Sequence, residues 1–218
     1  SAFIQPALVA FGTGDEWVAL CHGQQGLEAA AVVQPKGKGR WETFQPSQLP
    51  LGPWISRPGD DLTARAHALL RQLPGLALSL GLTQLDPRLQ AAPAPGATLD
   101  VQPYIDTSFI DVAGSYDAYW EQRGKNLRQN TRKQINKLEA EGTALSLETV
   151  TEPQDVAAAV AEYGALETAS WKAGMGTAVD PATAQGRFYR DMLERFCALG
   201  RGRIVRYRFG GKTVAMDL

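Results

Sequence analysis

Two groups of residues in this chain have the types and spacing to do chemistry. The first is cationic: placed on a helix, Lys125, Arg128 and Arg132 stand close together, within a basic set that also includes Arg123, Lys133 and Lys137. Planar guanidinium forks match phosphate oxygens in pairs, so this face suits a phosphate-bearing ligand. The same residues would also serve as a solvated face that keeps a helix in water. The second group surrounds Glu167. On a helix, Val156, Ala159, Val160, Tyr163 and Leu166 share one apolar face, and Glu167 falls inside the same arc with Trp171 close beside it. Burial raises the pKa of a carboxyl group and suits it to taking a proton near neutrality, which is the behaviour of a general base. A structural reading stands next to this one, because Glu167 lies near the helix end, where a stripe drifts and an acid can reach water. Lys172 reads more readily as a cation at a helix C-terminus than as a catalytic amine.

These residues need helices to position them. Over residues 115–142, Tyr116, Trp120, Leu127, Thr131, Ile135 and Leu138 form an apolar stripe wide enough to face a core, opposite the cations. Gly124 costs a helix about 1 kcal/mol relative to alanine, so the segment is open to division into two helices there, and Gly142 is a natural stop. A strand at Leu145 to Val150 precedes the helix that carries Glu167, which Thr151, Glu152 and Pro153 introduce through cap and proline signals. Asp180 and Pro181 open a further helix, with Phe188, Met192, Phe196 and Leu199 as its packed stripe. On its outside Arg187 pairs with Asp191, and Arg190 with Glu194. Arg203 to Phe209 and Lys212 to Leu218, joined by Gly210 and Gly211, make a hairpin. The expected order in this half is strand and helix in alternation, with an apolar final strand that reads as part of a longer fold.

The first hundred residues predict a sheet with one helix. Trp17 to Cys21, Leu27 to Val33 and Trp41 to Phe44 are short apolar runs separated by glycine-rich turns, in the manner of an antiparallel meander. The turn PKGKG lacks the following helix that a phosphate-cradling loop requires, so it is a plain turn. A helix over 60–73 follows the Asp60–Asp61 cap signal, Leu76 to Leu82 is a strand, and AAPAPG at 91–96 is a linker. That linker separates an N-terminal domain, 1–96, from a second, 97–218, in which Thr98 to Ile105 is strand-like and Phe109 to Val112 leads into the basic helix.

Composition bounds the function classes. In 218 residues, 44% are hydrophobic and 21% charged, and the formal net charge is −1. No summed positive field exists to draw the whole chain to nucleic acid or to a membrane surface, so any such binding is local. Cys21 and Cys197 are far apart, and His22 and His67 are the two histidines, none with metal-ligand spacing. No apolar run reaches the length of a membrane span, and the first residues lack signal-peptide character; a reducing cytoplasm fits.

The three stretches YWEQRGKNLRQNTRKQINKLEAEG, ALETASWKAGMG and FYRDMLERFCALGRGRIVRYRFGGKTVAMDL, in this order, resemble the acetyltransferases associated with bacterial cellulose and exopolysaccharide biosynthesis. That family is a branch of the GNAT superfamily, similar in plan to Fem-type transferases with two GNAT-like units in tandem. The run WVALCHGQQGLEAAAVV echoes IVRYRFGGKTVAMDL in plan, in keeping with two related units. The resemblance implies an α+β fold of mixed, mostly antiparallel sheets with flanking helices, the second unit being incomplete. It implies acetyl-coenzyme A as acyl donor, no metal, and a saccharide or small-molecule amine or hydroxyl as acceptor. Glu167 becomes the candidate catalytic base, and Arg128, Arg132, Trp171 and Lys172 become candidate substrate-binding residues; the coenzyme-binding residues stay unknown. Two other readings remain open: a Fem-like transferase using aminoacyl-tRNA, and a degenerate GNAT pair kept as a non-catalytic scaffold.

Overall fold

In the computed structural model, which describes residues 1–24, 26–169 and 179–218, the chain divides into two compact units, Ser1–Ile105 and Asp106–Leu218. The mixed helix and sheet content is that of an α+β protein.

The first unit is built on β1 (Trp17–Gly23), β2 (Gly26–Pro35), β3 (Arg40–Thr43), β4 (Trp54–Ser56) and β5 (Ser79–Gly81), with helices α1 (Ile4–Phe11) and α2 (Leu62–Leu70). The meander expected from the apolar runs is present: β1 pairs antiparallel with β2, and β2 with β3. The turn PKGKG has Gly37, Lys38 and Gly39 all at positive φ, a conformation that glycine adopts freely. α2 begins where the aspartates signalled, Asp61 Oδ1 accepting the amide of Ala64. β5 pairs parallel to β3, placing Leu80 beside Trp41. It is shorter than the predicted strand at 76–82. Gly39 O takes the amides of Leu78 and Ser79, so the backbone ahead of Ser79 is spent on a turn contact instead of a ladder. Ala31, Val33, Trp41 and Leu73 form a core, with Ala19, Trp54, Leu69 and Leu70 packed against it. The sequence reading missed α1, whose Pro6 sits in the first turn, where a missing amide costs nothing.

The second unit holds α3 (Tyr116–Glu121), α4 (Lys125–Ala140), β6 (Leu145–Val150), α5 (Pro153–Thr168), α6 (Ala184–Ala198), β7 (Ile204–Phe209) and β8 (Lys212–Asp217). The sheet runs β6-β7-β8, all antiparallel. Gly210 and Gly211, both at positive φ, form the two-residue turn between β7 and β8. The basic segment does divide at Gly124, and Gly142 ends α4 at φ 66. The amides of Gly142 and Thr143 return to the carbonyls of Glu139 and Leu138, the double bond pattern of a Schellman stop. Val156, Ala159 and Val160 of α5, Leu193 and Cys197 of α6, Ile204 of β7 and Met216 of β8 make the core.

Three expectations fail here. Residues 98–105 are not a strand: Gly96 and Leu99 share one isolated bridge, and Tyr104 and Ile105 are exposed. Pro103 has no amide to give a ladder, and none of the described strands pairs with this stretch. The apolar stripe of α4 does not pack as predicted, because no residue of α4 is buried and Leu127 and Ile135 stay in solvent. On α6 the buried residues are Gly186, Phe188, Leu193 and Cys197, with Leu199 exposed. Thr183 caps that helix, its Oγ1 accepting the amide of Gly186, and Gly186, Leu193 and Cys197 lie on a side well away from Phe188, so the helix is buried on more than the one predicted stripe.

Candidate functional site

Glu167 is buried at the C-terminal end of α5, with 8% of its surface exposed. Of the two readings of this helix end, the structure shows the buried one: Val156, Ala159 and Val160 pin that face of α5 into the core, and Glu167 follows on the same face. Both carboxylate oxygens are engaged. Tyr163, one turn earlier, donates its hydroxyl to Oε1 at 2.9 Å, and the buried amide of Val179 donates to Oε2 at 2.9 Å. The two bonds hold the carboxylate at both of its oxygens. Tyr163 responds to the same contact. Burial, the bond to Glu167 and the negative field of that carboxylate push the phenol up to about 12, so it stays protonated and donating at neutral pH.

The Val179 peptide is gripped from both sides. Its N–H enters Glu167 while its C=O lies against Gly164, where an added Cβ would come within 2.0 Å of the Val179 oxygen. On α6, Gly186 makes a similar notch, since a Cβ there would meet the Asp180 oxygen at 2.1 Å. Two helices thus offer glycine notches to one short stretch, 179–181, and Glu167 closes the clasp. The sequence reading named Glu167 but missed Tyr163 as its partner, along with Gly164 and Gly186. The available signal was a glycine in mid-helix one turn before a buried acid, a position that costs helix propensity unless close packing needs it.

Nearby, the sheet carries a second polar network. Glu162 accepts from Thr213 Oγ1 at 2.6 Å and from Arg206 Nε at 2.8 Å, and Arg206 also reaches Glu148. The Thr213 hydroxyl, then the Arg206 charge, hold the Glu162 carboxyl below its usual range against the opposing effect of burial. On β7 and β8, Tyr207 donates to Asp217 at 2.7 Å, which raises the Tyr207 phenol.

The cationic face is separate from this clasp in character. Arg132 is exposed, and Arg128 is half-buried with its Nε donating to the carbonyl of Arg123 at 3.1 Å. Arg123 itself lies over the ring of Tyr119, 4.3 Å from its centre, and Tyr116 stacks on Trp120. α4 starts at Gly124 with no side-chain cap, so its first amides have no intrahelical partner and Lys125 and Arg128 stand beside them. Trp171 and Lys172 lie outside the described residues. Among the described residues no group of three metal-ligating side chains occurs, and no helix is long and apolar enough to cross a membrane.

No curated protein and no solved structure matches the chain. Residues 125–218, from the first residue of α4 to the last after β8, match the family of the acetyltransferase (GNAT) domain, and this stretch, with its buried Glu167 clasp and its cationic helix, is similar to a GNAT-type acetyltransferase domain.

Proposed function

We propose that the chain serves a coenzyme A-dependent acyl transfer, from acetyl-coenzyme A to an amine or hydroxyl of a saccharide or other small acceptor. The observation that carries this reading is the match of residues 125–218 to the acetyltransferase (GNAT) domain. The donor, when bound, supplies the acyl group as a thioester. Its phosphates fit the uncapped start of α4, where backbone amides and the side chains of Lys125 and Arg128 provide donors, with Arg132 one turn on. Glu167 takes the proton released as the acceptor attacks, and Tyr163 holds its carboxylate in one orientation. Val179, through its amide, fixes the other oxygen. Trp171 and Lys172 remain proposed substrate contacts.

A specific observation favours a second reading, the non-catalytic scaffold. Both oxygens of Glu167 already have protein donors, which is what a purely structural clasp would show. One experiment separates the two. Thermal unfolding of the chain is followed with and without acetyl-coenzyme A; a ligand at 100 times its dissociation constant stabilises by about 2.7 kcal/mol. Acyl transfer predicts an upward shift that Arg128→Ala with Arg132→Ala diminishes, and loss of turnover in a folded Glu167→Gln protein. Absence of both a shift and turnover would leave the scaffold reading standing.

A further inference from the structure

We propose that α4 is a membrane-surface helix, which lies along an anionic lipid bilayer with its apolar stripe among the acyl chains and its cations on the headgroup phosphates. The sequence gathers the ingredients in one segment. Residues 125–137 hold five cations, Lys125, Arg128, Arg132, Lys133 and Lys137, and no acid. The chain as a whole has a net charge of −1, so this positive field is a local property of α4. At roughly 100° per residue, Leu127, Thr131, Ile135 and Leu138 fall on one side of the helix; Arg128 and Arg132 border them on one flank, and Lys137 on the other.

The structure leaves this side of the helix open. No residue of α4 is buried: Leu127 is 52% and Ile135 40% exposed, while Thr131 and Leu138 are half-buried. An amphipathic helix ordinarily spends its stripe on a core, but the core of this unit is built from α5, α6 and the sheet, without α4. The chain leading into α4 has the same character. Ile110, Val112 and Tyr116 are 61%, 93% and 69% exposed, and the ring of Tyr116, apolar in its body and polar at its tip, suits the boundary between acyl chains and headgroups.

Charge complementarity narrows the partner to a polyanion, and the stripe narrows it to lipid. RNA would also meet the cations, but it is held by hydrogen bonds to base edges and by stacking on aromatic rings, which gives Leu127, Ile135, Ile110 and Val112 nothing to pack against. A bilayer surface answers both needs, with an apolar layer for the aliphatic side chains and phosphates at the level of the flanking cations. A helix so charged lies in the interface and does not span it, and no described helix is long and apolar enough to cross a membrane. Lys137 is held only by an exposed pair with Glu141 at 3.8 Å, which little constrains it. The inference is independent of the acyl-transfer reading, because Lys133 and Lys137 are not among the cations assigned to the donor's phosphates.

The test is flotation of the full chain with vesicles of equal parts phosphatidylcholine and phosphatidylglycerol, with vesicles of phosphatidylcholine alone and a single-stranded RNA as competing probes. The parent floats with the anionic vesicles and not with the neutral ones, and added salt weakens the partition. One lysine beside an anionic surface is worth about fivefold in partition, so Lys133→Glu with Lys137→Glu weakens it on the order of thirtyfold or more. Leu127→Gln with Ile135→Gln keeps every charge and suits a helix, and weakens partition by about tenfold or more. All four positions are exposed, so both variants melt with the parent. A parent that ignores both kinds of vesicle, or binds them equally, overturns the proposal. So does a glutamine variant that binds like the parent, which would make the attraction purely electrostatic, and so does an RNA held more tightly than the vesicles, which would make α4 a nucleic-acid face.

Discussion

Replacing Glu167 by alanine removes the acceptor of two hydrogen bonds at once. The amide of Val179 suffers most, because Val179 is 3% exposed and its N–H has no water to turn to. A buried donor left without a partner costs about 1–3 kcal/mol, and bonds to a charged acceptor lie at the upper end of the usual range. The hydroxyl of Tyr163 is half-buried and recovers part of its loss in solvent. Adding the side-chain packing, the variant should lose about 2–4 kcal/mol, which at roughly 2–4 °C per kcal/mol lowers the melting temperature by about 5–15 °C. Glutamine in the same place keeps the shape and one good acceptor for Val179, and should cost only about 1 kcal/mol. The assay is thermal unfolding followed by circular dichroism, with chemical denaturation as a check on the free energies. Two results would refute the reasoning: an alanine variant that melts within about 1 °C of the parent, or a glutamine variant as damaged as the alanine one. The ordering also makes Glu167→Gln the variant to use in a turnover assay, because it should stay folded.

Four further expectations follow from the same geometry. Gly164→Ala, ordinarily a gain of about 1 kcal/mol inside a helix, should be strongly destabilising, because its Cβ would lie 2.0 Å from the Val179 oxygen; urea titration gives the sign. Tyr163 has a folded pKa of about 12, raised above the ordinary value of 10.0, so its contribution is complete below pH 10 and is lost as pH climbs from 10 to 12. Stability measured across that window should fall for the parent and more shallowly for Tyr163→Phe. Glu162, held below its usual range chiefly by Thr213, contributes above its unfolded pKa and loses that contribution as pH falls through its folded one; Thr213→Val should flatten the acid limb and cost about 1–2 kcal/mol near neutrality. Arg132→Ala should leave the melting temperature within about 1 °C, because its side chain is in solvent; any loss it causes in coenzyme binding is then a direct contact effect.

Most of the elements were legible because their signals are local. Asp61 as a cap, Pro153 at a helix start, Gly142 as a stop and the Gly210–Gly211 turn each rest on one or two residues, and each sits where expected. Burial of Glu167 was readable too, since a stripe of Val156, Ala159 and Val160 fixes which way α5 faces. Periodicity says nothing about whether a partner exists. The stripe on α4 has a sound amphipathic pattern, yet Leu127 and Ile135 remain exposed. For the same reason Thr98 to Ile105 looked like a strand: its alternation was adequate, but no edge receives it. The clasp around Val179 was illegible because it is made through backbone atoms, and a backbone amide carries no residue identity.

The order of the second sheet constrains how the unit can fold. β7 and β8 are joined by two glycines, so their pairing closes a minimal loop and can form within microseconds. β6 pairs with β7 only across the whole of α5 and α6, from Leu145 opposite Phe209 to Val150 opposite Ile204. Closing that loop costs chain entropy before any ladder bond is gained, and the cost falls once the helices have shortened the path. The hairpin and the two helices should therefore be structured in the transition state, with β6 docking late. Substitutions along β6 would then quicken unfolding while scarcely slowing folding, and those in the β7–β8 turn would do the reverse.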